Sequence, residues 1–244
     1  MPFAETPLRD TYAAAVEQVA GRTLDALRNG DGAAAIVDPD TAATRPLLAA
    51  VRVLGADLFA PQLFTGTEPD GPTAALLSEG RRAFPAPAPA SPEAELVIGW
   101  QDWAAGQLLA RTPYGTAGAQ PAPLPDPDAM GWQAWSVRMA QLSALALPGL
   151  DGPVHETART NTSALARGTV RAMLRRDLTT AARLTRWLAR AAADGHPSRL
   201  ELEPVLERIR LAGDGSARTG LELEAARRLL LRSRPPTAEG NRAP

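Results

Sequence analysis

The sequence contains no cysteine among its 244 residues, and all 26 residues counted as lysine or arginine are arginine. The absence of cysteine excludes disulfides, thiolate zinc sites, iron–sulfur clusters and cysteine nucleophiles. The absence of lysine excludes a Schiff-base lysine, a P-loop lysine and a lysine general base. Because only two histidines are present, we predict no metal site and no cofactor.

Aromatic residues are also scarce, at 5% of the chain, although 45% of the residues are hydrophobic. Alanine and leucine, which are strong helix formers, supply most of the apolar side chains. Valine, isoleucine, tyrosine and phenylalanine, which are typical of strands, are sparse. This balance predicts an all-α fold, an irregular bundle of about seven to nine helices joined by Pro/Gly-rich loops.

Long apolar runs are absent as well. The longest apolar stretch, residues 47–64, is interrupted by Arg52, Asp57 and Pro61, whereas a membrane-spanning helix needs roughly 20 apolar residues. The first five residues lack the basic and apolar regions of a signal peptide. We therefore expect no membrane insertion and a cytoplasmic location.

Helical periodicity and capping residues place the predicted helices. Pro61 is expected to end the second helix and to begin a loop that runs to residue 73. A Pro-Ala run at 84–90 predicts an extended spacer or a strap across the surface. The predicted helices cover 8–29, 44–59, 73–83, 91–110, 126–147, 160–192, 203–212 and 220–233, and a disordered tail is expected at 235–244.

Charge is unevenly distributed along the chain. Residues 1–150 hold 9 arginines against 16 acidic residues, whereas residues 151–234 hold 16 arginines against 10 acidic residues. With the Pro148-Gly149 break, this switch predicts an acidic helical region at 1–150 and an Arg-rich helical region at 151–234. The two regions either face each other or bind different partners.

The Arg-rich segment predicts a basic helix face. Residues 164–191 form either one long helix or a helix pair that turns near Asp177. As one helix, it would place its arginines on one half and its apolar side chains on the other. The basic half is then an ordinary solvated face, a contact with the acidic region or an acidic partner, or a surface for nucleic acid or membrane. Its candidate binding residues are Arg167, Arg171, Arg175, Arg186 and Arg190. We expect Arg171, Arg175 and Arg186 to contact carboxylates, either within the chain or on an acidic protein partner.

A repeated pentad carries four of the five tryptophans. Gly-Trp-Gln-Asp-Trp at 99–103 recurs as Gly-Trp-Gln-Ala-Trp at 131–135. Tryptophans three residues apart share one helix face, which predicts either two equivalent helices that pack their indoles into one core or an aromatic groove for a partner. The candidate residues are Trp100, Trp103, Trp132 and Trp135. The core interpretation predicts that all four are mostly buried and that the two pairs lie near one another.

Catalytic signatures are weak. His155 and Glu156 are adjacent, but the H-E-x-x-H motif is incomplete because Arg159 occupies its last position. No G-x-S-x-G motif is present. His155 and Glu156 are therefore the only acid–base candidates.

Three functions fit these patterns. The first is a non-catalytic helical adaptor or assembly subunit that binds another protein, with oligomerisation possible. The second is an enzyme with an Arg-lined pocket for an acidic substrate, which would use His155 and Glu156. The third is a nucleic-acid-binding protein that uses the 167–190 arginine face, although a sequence pI near 6.2 argues against it.

Overall fold

The computed structural model describes residues 5–32, 36–37 and 42–233. All regular structure in these ranges is helical, without strands, which confirms the predicted all-α class. The predicted tail at 235–244 lies outside the described residues.

The described chain forms more helices than the seven to nine that the sequence predicted. Two short 3-10 turns, Gly55–Phe59 and Ser143–Leu145, accompany twelve α-helical segments. These segments are α1 Glu5–Asn29, α2 Arg45–Leu54, α3 Ala60–Thr65, α4 Gly71–Ala83, α5 Pro92–Leu109, α6 Pro127–Met130, α7 Trp132–Gln141, α8 Pro153–Thr160, α9 Thr162–Leu174, α10 Leu178–Ala193, α11 Leu202–Ala212 and α12 Ala217–Ser233.

The extra segments arise where predicted helices break. Gly55 and Gly131 adopt positive φ angles of 54° and 82°, which interrupt helices that the sequence predicted to continue. Pro61 does not end a helix; it occupies the first turn of α3, where the missing N–H is not needed. The prediction of a loop at 61–73 is therefore wrong for its first residues, which are helical.

Of the two alternatives for residues 164–191, the helix pair is observed. Arg176 adopts a left-handed backbone with φ 57°, which ends α9. The Asp177 side chain then accepts a hydrogen bond from the Thr180 N–H at 3.1 Å and caps α10. The chain turns here, so residues 164–191 do not form the single basic helix face that one continuous helix would have.

Helix α10 lies at the centre of the described fold and packs against α7, α8, α9, α11 and α12. Ten successive residues, from Ala181 to Arg190, are buried with the exception of Arg183. A helix that is buried on most sides must satisfy any charged side chain internally. Arg186 and Arg190 on α10 are therefore the residues whose partners matter most.

The two predicted charge regions share one continuous hydrophobic core. Helix α1 packs against both α2 and α12, and Glu17 of α1 accepts a hydrogen bond from the Ala217 N–H at 2.6 Å. The division near residue 150 stays a prediction about domains, but the packing joins the first helix to the last.

Candidate functional site

A cavity of about 610 Å³ lies where both charge regions meet. Its walls come from α2 and the following 3-10 turn, α5, the start of the Pro-Ala run, the 3-10 turn at 143–145, α10 and α12. The Arg52 Nε donates to the Phe84 carbonyl at 3.1 Å, which holds the Pro-Ala run against α2. Pro85 and Pro87 line the cavity beside Phe84, so this run borders the site.

A buried guanidinium forms the base of the site. The Arg186 side chain has 0% exposure, and its Nη2 lies 2.6 Å from Asp57 Oδ1 while its Nη1 lies 2.9 Å from Glu222 Oε2. Its Nε donates to the Ala146 carbonyl at 3.2 Å, and the Ser143 hydroxyl donates to Glu222 Oε1 at 2.7 Å. All three nitrogen atoms of the guanidinium therefore donate hydrogen bonds. A buried charge is tolerated when its donors are satisfied in this way.

Three separate elements bring these groups together. Asp57 lies on the 3-10 turn that follows α2, Arg186 lies midway along α10, and Glu222 lies near the start of α12. The left-handed Gly55 redirects the chain so that Asp57 faces α10. No local sequence pattern joins residues 129 positions apart, so the cluster is a product of tertiary packing.

Burial and charge oppose each other in this cluster. Burial raises the pKa of Asp57 above its ordinary value, and the adjacent Arg186 offsets part of that effect. Burial disfavours the charged form of Arg186, but Asp57 and Glu222 outweigh it and raise the pKa of Arg186 above its ordinary value. Arg186 therefore remains charged, and its hydrogen-bond donors are used within the protein and not by a ligand.

Further arginines lie closer to the cavity opening. Arg183 Nε lies 3.6 Å from Glu222 Oε1, which is too long for a hydrogen bond. Arg218 lines the cavity and is half-buried, and its side chain makes no ion pair or hydrogen bond with any described residue. Arg52 is already paired with Asp102 at 2.8 Å. Arg183 and Arg218 therefore retain donors for a ligand.

The predicted acid–base pair of His155 and Glu156 is not assembled. His155 is 1% exposed, its Nε2 lies 2.9 Å from the Leu145 carbonyl and its ring packs edge-on against Trp187. Glu156 is exposed and pairs with Arg159 at 3.0 Å. The two side chains do not share a helix face, because adjacent helix residues point about 100° apart. Neither lines the 610 Å³ cavity.

The predicted binding arginines divide into two groups. Arg167 and Arg171 of α9 are exposed, as is Arg175, which directly follows α9, whereas Arg186 and Arg190 are buried on α10. The expected carboxylate contact is found at Arg186, which reaches Asp57 of the acidic region. Arg171 and Arg175 form no ion pair with any described residue, and their contact with an acidic protein partner stays a prediction.

Arg190 serves a second internal network. Its Nε lies 3.0 Å from Asp194 Oδ2, and its Nη1 donates to the Leu147 carbonyl. Asp194 also pairs with Arg159 of α8 at 3.1 Å. Arg190 therefore ties α10 to neighbouring segments and is not available on a surface.

The two tryptophan pentads are not structurally equivalent. Trp100 and Trp103 lie within α5, are buried and contact each other edge-on with centroids 5.1 Å apart. Trp135 of α7 is also buried, but Trp132 is only half-buried at the first position of that helix. Trp132 is thus the least buried of the four and lies at the edge of the core, because it begins α7 directly after Gly131.

Sequence reasoning missed Asp57, Glu222, Arg183 and Arg218 as site residues. A signal existed for Asp57, which is a carboxylate within an otherwise apolar stretch and therefore requires a buried partner. Glu222 and Arg218 carry no comparable signal, since alternating charges at the start of a helix are typical of a solvated face.

In the described part of the chain, no group of three or more His, Asp or Glu side chains could hold a metal ion. One segment, Arg45–Thr65, is long and apolar enough to cross a membrane by length and composition, and 72% of its window is buried inside the fold. A buried core helix passes the same test, so this is weak evidence for a membrane span.

Comparison of the chain with protein families, with curated proteins and with solved structures finds no match.

Proposed function

We propose that the protein binds a small organic anion in the 610 Å³ cavity. The observation that carries this proposal is Arg218, a half-buried guanidinium that lines the cavity and forms no ion pair or hydrogen bond with a described residue. Burial raises the pKa of Asp57, which lines the same cavity, and the charge of Arg218 opposes part of that rise. The proposal keeps the Arg-lined pocket for an acidic ligand from the enzyme that the sequence suggested as its second function, but not the catalysis by His155 and Glu156. Arg183 and Arg218 are the proposed binding residues.

The charge balance of the cavity favours an anion over a cation. The four guanidiniums in and below it are those of Arg52, Arg183, Arg186 and Arg218, and the three carboxylates are those of Asp57, Asp102 and Glu222. Both carboxylates at the base already bind Arg186, so their charge is largely neutralised. A ligand carboxylate or phosphate would instead receive charge-assisted hydrogen bonds from Arg218 and Arg183.

The remaining walls favour a ligand with an apolar body. Leu54, Val97, Ile98 and Phe84 line the cavity together with proline rings of the Pro-Ala run. Pockets that combine apolar walls with a few convergent polar groups are typical of small-molecule sites. The arginine pair would fix the anionic end, and the apolar walls would accept the rest.

Isothermal titration calorimetry with sodium benzoate and sodium phosphate, at constant ionic strength, tests the proposal. We expect saturable binding of benzoate and weaker binding of phosphate, which lacks an apolar body. In Arg218→Gln the benzoate affinity should fall about tenfold or more, because a hydrogen bond to a charged group contributes about 1.5–3 kcal/mol. Arg218 forms no ion pair or hydrogen bond with a described residue, so this variant should keep the parent's fold and lose only the longer-range attraction to Asp57.

The matched control is Arg208→Gln, which removes an exposed arginine of α11 that does not line the cavity. Its affinity for benzoate should equal that of the parent. The proposal is wrong if neither anion binds in a saturable manner, or if the Arg208 and Arg218 variants bind benzoate equally well.

A further inference from the structure

The outward side of α9 carries two parallel stripes of side chains. One is apolar and consists of Ala166, Val170 and Leu174. The other is basic and consists of Arg167, Arg171 and the C-cap residue Arg175. Members of each stripe are four residues apart, so each stripe runs along the helix in steps of about 6 Å. We call this set, with Trp132 of α7, the α9 surface.

The apolar stripe is strongly exposed. Leu174 is 81% exposed and Val170 is 44% exposed, and they line a shallow groove of about 420 Å³ with Ala166 and Trp132. The opposite side of α9 is buried, as at Leu165 and Ala172. The helix therefore uses one face for the fold and leaves a second apolar face uncovered.

The basic stripe is preorganised and unpaired. The Arg167 guanidinium carbon lies 4.3 Å from the centroid of the Trp132 ring, and that of Arg171 lies 5.8 Å from it. These cation–π contacts hold the guanidiniums beside the groove. None of the three arginines forms an ion pair with a carboxylate in the part of the chain that the structure describes. Three adjacent positive charges thus border an uncovered apolar groove.

We propose that the α9 surface binds an acidic amphipathic helix of another protein. The partner's apolar side chains would pack against Val170, Leu174 and Trp132, and its carboxylates would face the arginines. A helix suits the site because its own side-chain rows also repeat every four residues and can run alongside the two stripes. This occupant corresponds to the adaptor function that the sequence suggests, and it is independent of the cavity ligand.

Charge selects this occupant over the other candidates. A symmetric dimer through this surface would bring one basic stripe against its copy, because a two-fold interface repeats the same patch on both sides. Nucleic-acid phosphates would pair with the arginines but would leave Leu174 and Val170 uncovered. An acidic amphipathic helix satisfies both stripes at once.

Fluorescence anisotropy with two labelled synthetic peptides tests the proposal. Both form an amphipathic helix of about four turns with leucine every four residues; the first carries a neighbouring row of glutamates, and the second carries glutamine at those positions. We expect the parent to bind the glutamate peptide at least tenfold more tightly than the glutamine peptide. Added salt should reduce this preference, because exposed charges are screened.

The double variant Arg171→Gln, Leu174→Gln removes one member of each stripe and should lose most of the binding. Both side chains are exposed, so circular dichroism should show an unchanged helix content. The matched control is Arg208→Gln, Leu211→Gln, which changes an exposed arginine and an exposed leucine of α11 and should bind the glutamate peptide as the parent does.

Several outcomes overturn the proposal. Equal affinity for the two peptides, or equal binding by both double variants, would show that the stripes do not recognise an acidic helix. Binding of random-sequence duplex DNA or of anionic phospholipid vesicles without glutamate-peptide binding, lost in the Arg171/Leu174 variant, would assign the surface to that ligand instead. Concentration-dependent dimerisation, lost in the same variant, would assign it to a second copy of the chain.

Discussion

Arg186 shows how a single charged residue constrains the packing around it. A guanidinium without solvent contact is tolerated only when carboxylates and carbonyls replace its water. Asp57, Glu222 and the Ala146 carbonyl do so from three separate segments. These segments cannot move independently without leaving a buried charge unpaired, so Arg186 fixes the base of the cavity as well as the centre of α10.

His155 is the other buried ionisable side chain with a direct consequence for stability. Burial lowers the pKa of His155 to about 4, although the Leu145 carbonyl opposes the shift. In the unfolded chain its pKa should be near its ordinary value of about 6.5. Between these values the unfolded state binds the proton more readily, so the free energy of unfolding falls as pH decreases.

We therefore expect no loss of stability from His155 above about pH 6.5. Between about pH 6.5 and pH 4, its protonation should lower the free energy of unfolding by roughly 3 kcal/mol. Urea unfolding at pH 7 and near pH 4.5 measures this loss. The variant His155→Gln should show a smaller difference between the two pH values than the parent. His196→Gln, which changes an exposed histidine, should keep the parent's difference; equal pH dependence in all three proteins would refute the assignment.

Only part of the candidate site could be predicted at the level of residues. An arginine near the middle of a helix is usually solvated, and the sequence left both a solvated face and a contact with carboxylates open for Arg186. Restarting the helix at the Asp177 cap places Arg183, Arg186 and Arg190 on one side of a helix that is otherwise rich in alanine and leucine. Whether that side faces water depends on Asp57 and Glu222, and no local pattern reveals their approach.

At the scale of elements, the crossing of α7 and α9 depends on Gly168. A methyl group added there would lie 2.6 Å from Ser136 Cβ and 3.1 Å from Leu184 Cδ1. Both distances are shorter than ordinary van der Waals contact. The absence of a side chain at Gly168 therefore sets how closely α9 approaches α7 and α10.

We expect Gly168→Ala to lower the free energy of unfolding by about 1 kcal/mol or more. Alanine improves helix propensity by up to about 1 kcal/mol, but overpacking a tight core costs about 1–3 kcal/mol. Urea denaturation followed by circular dichroism gives the difference.

The matched control is Gly21→Ala in α1, where the added methyl would lie 3.8 Å from Ala217 Cβ, an ordinary contact. That variant should be as stable as the parent or more stable. A Gly168→Ala variant that gains stability as the Gly21 variant does would contradict the close approach of α9 to α7.

Capping residues predicted where helices begin better than where they end. Thr44, Ser91 and Asp126 each accept a hydrogen bond from an N–H of the first turn, as their positions indicated. The breaks at Gly55 and Gly131 were missed because a glycine inside an apolar pattern is compatible with a continuous helix. Tertiary packing decides which glycine adopts a positive φ angle.

At the scale of the whole molecule, charge divides the chain near residue 150, but the packing of the core does not. The charge of the sequence changes sign near residue 150, yet the buried apolar side chains on both sides belong to one cluster. Arg186 of the basic region binds Asp57 of the acidic region at 2.6 Å, and α1 packs on α12. The opposite charges therefore meet within the fold, as one interpretation of the asymmetry suggested.

This packing predicts that both regions unfold as one cooperative unit. In the variant Trp187→Phe all four remaining tryptophans lie before residue 150, so tryptophan fluorescence reports the acidic region, whereas far-ultraviolet circular dichroism reports all helices. Loss of the buried Trp187 indole should lower the midpoint in urea, but the two signals should still change together, because coincident transitions are the mark of two-state unfolding. The parent is the matched control, with one transition at a higher urea concentration. Two separate midpoints in the variant would instead support two domains divided near residue 150, since the shared core and the Arg186–Asp57 pair would then fail to couple them.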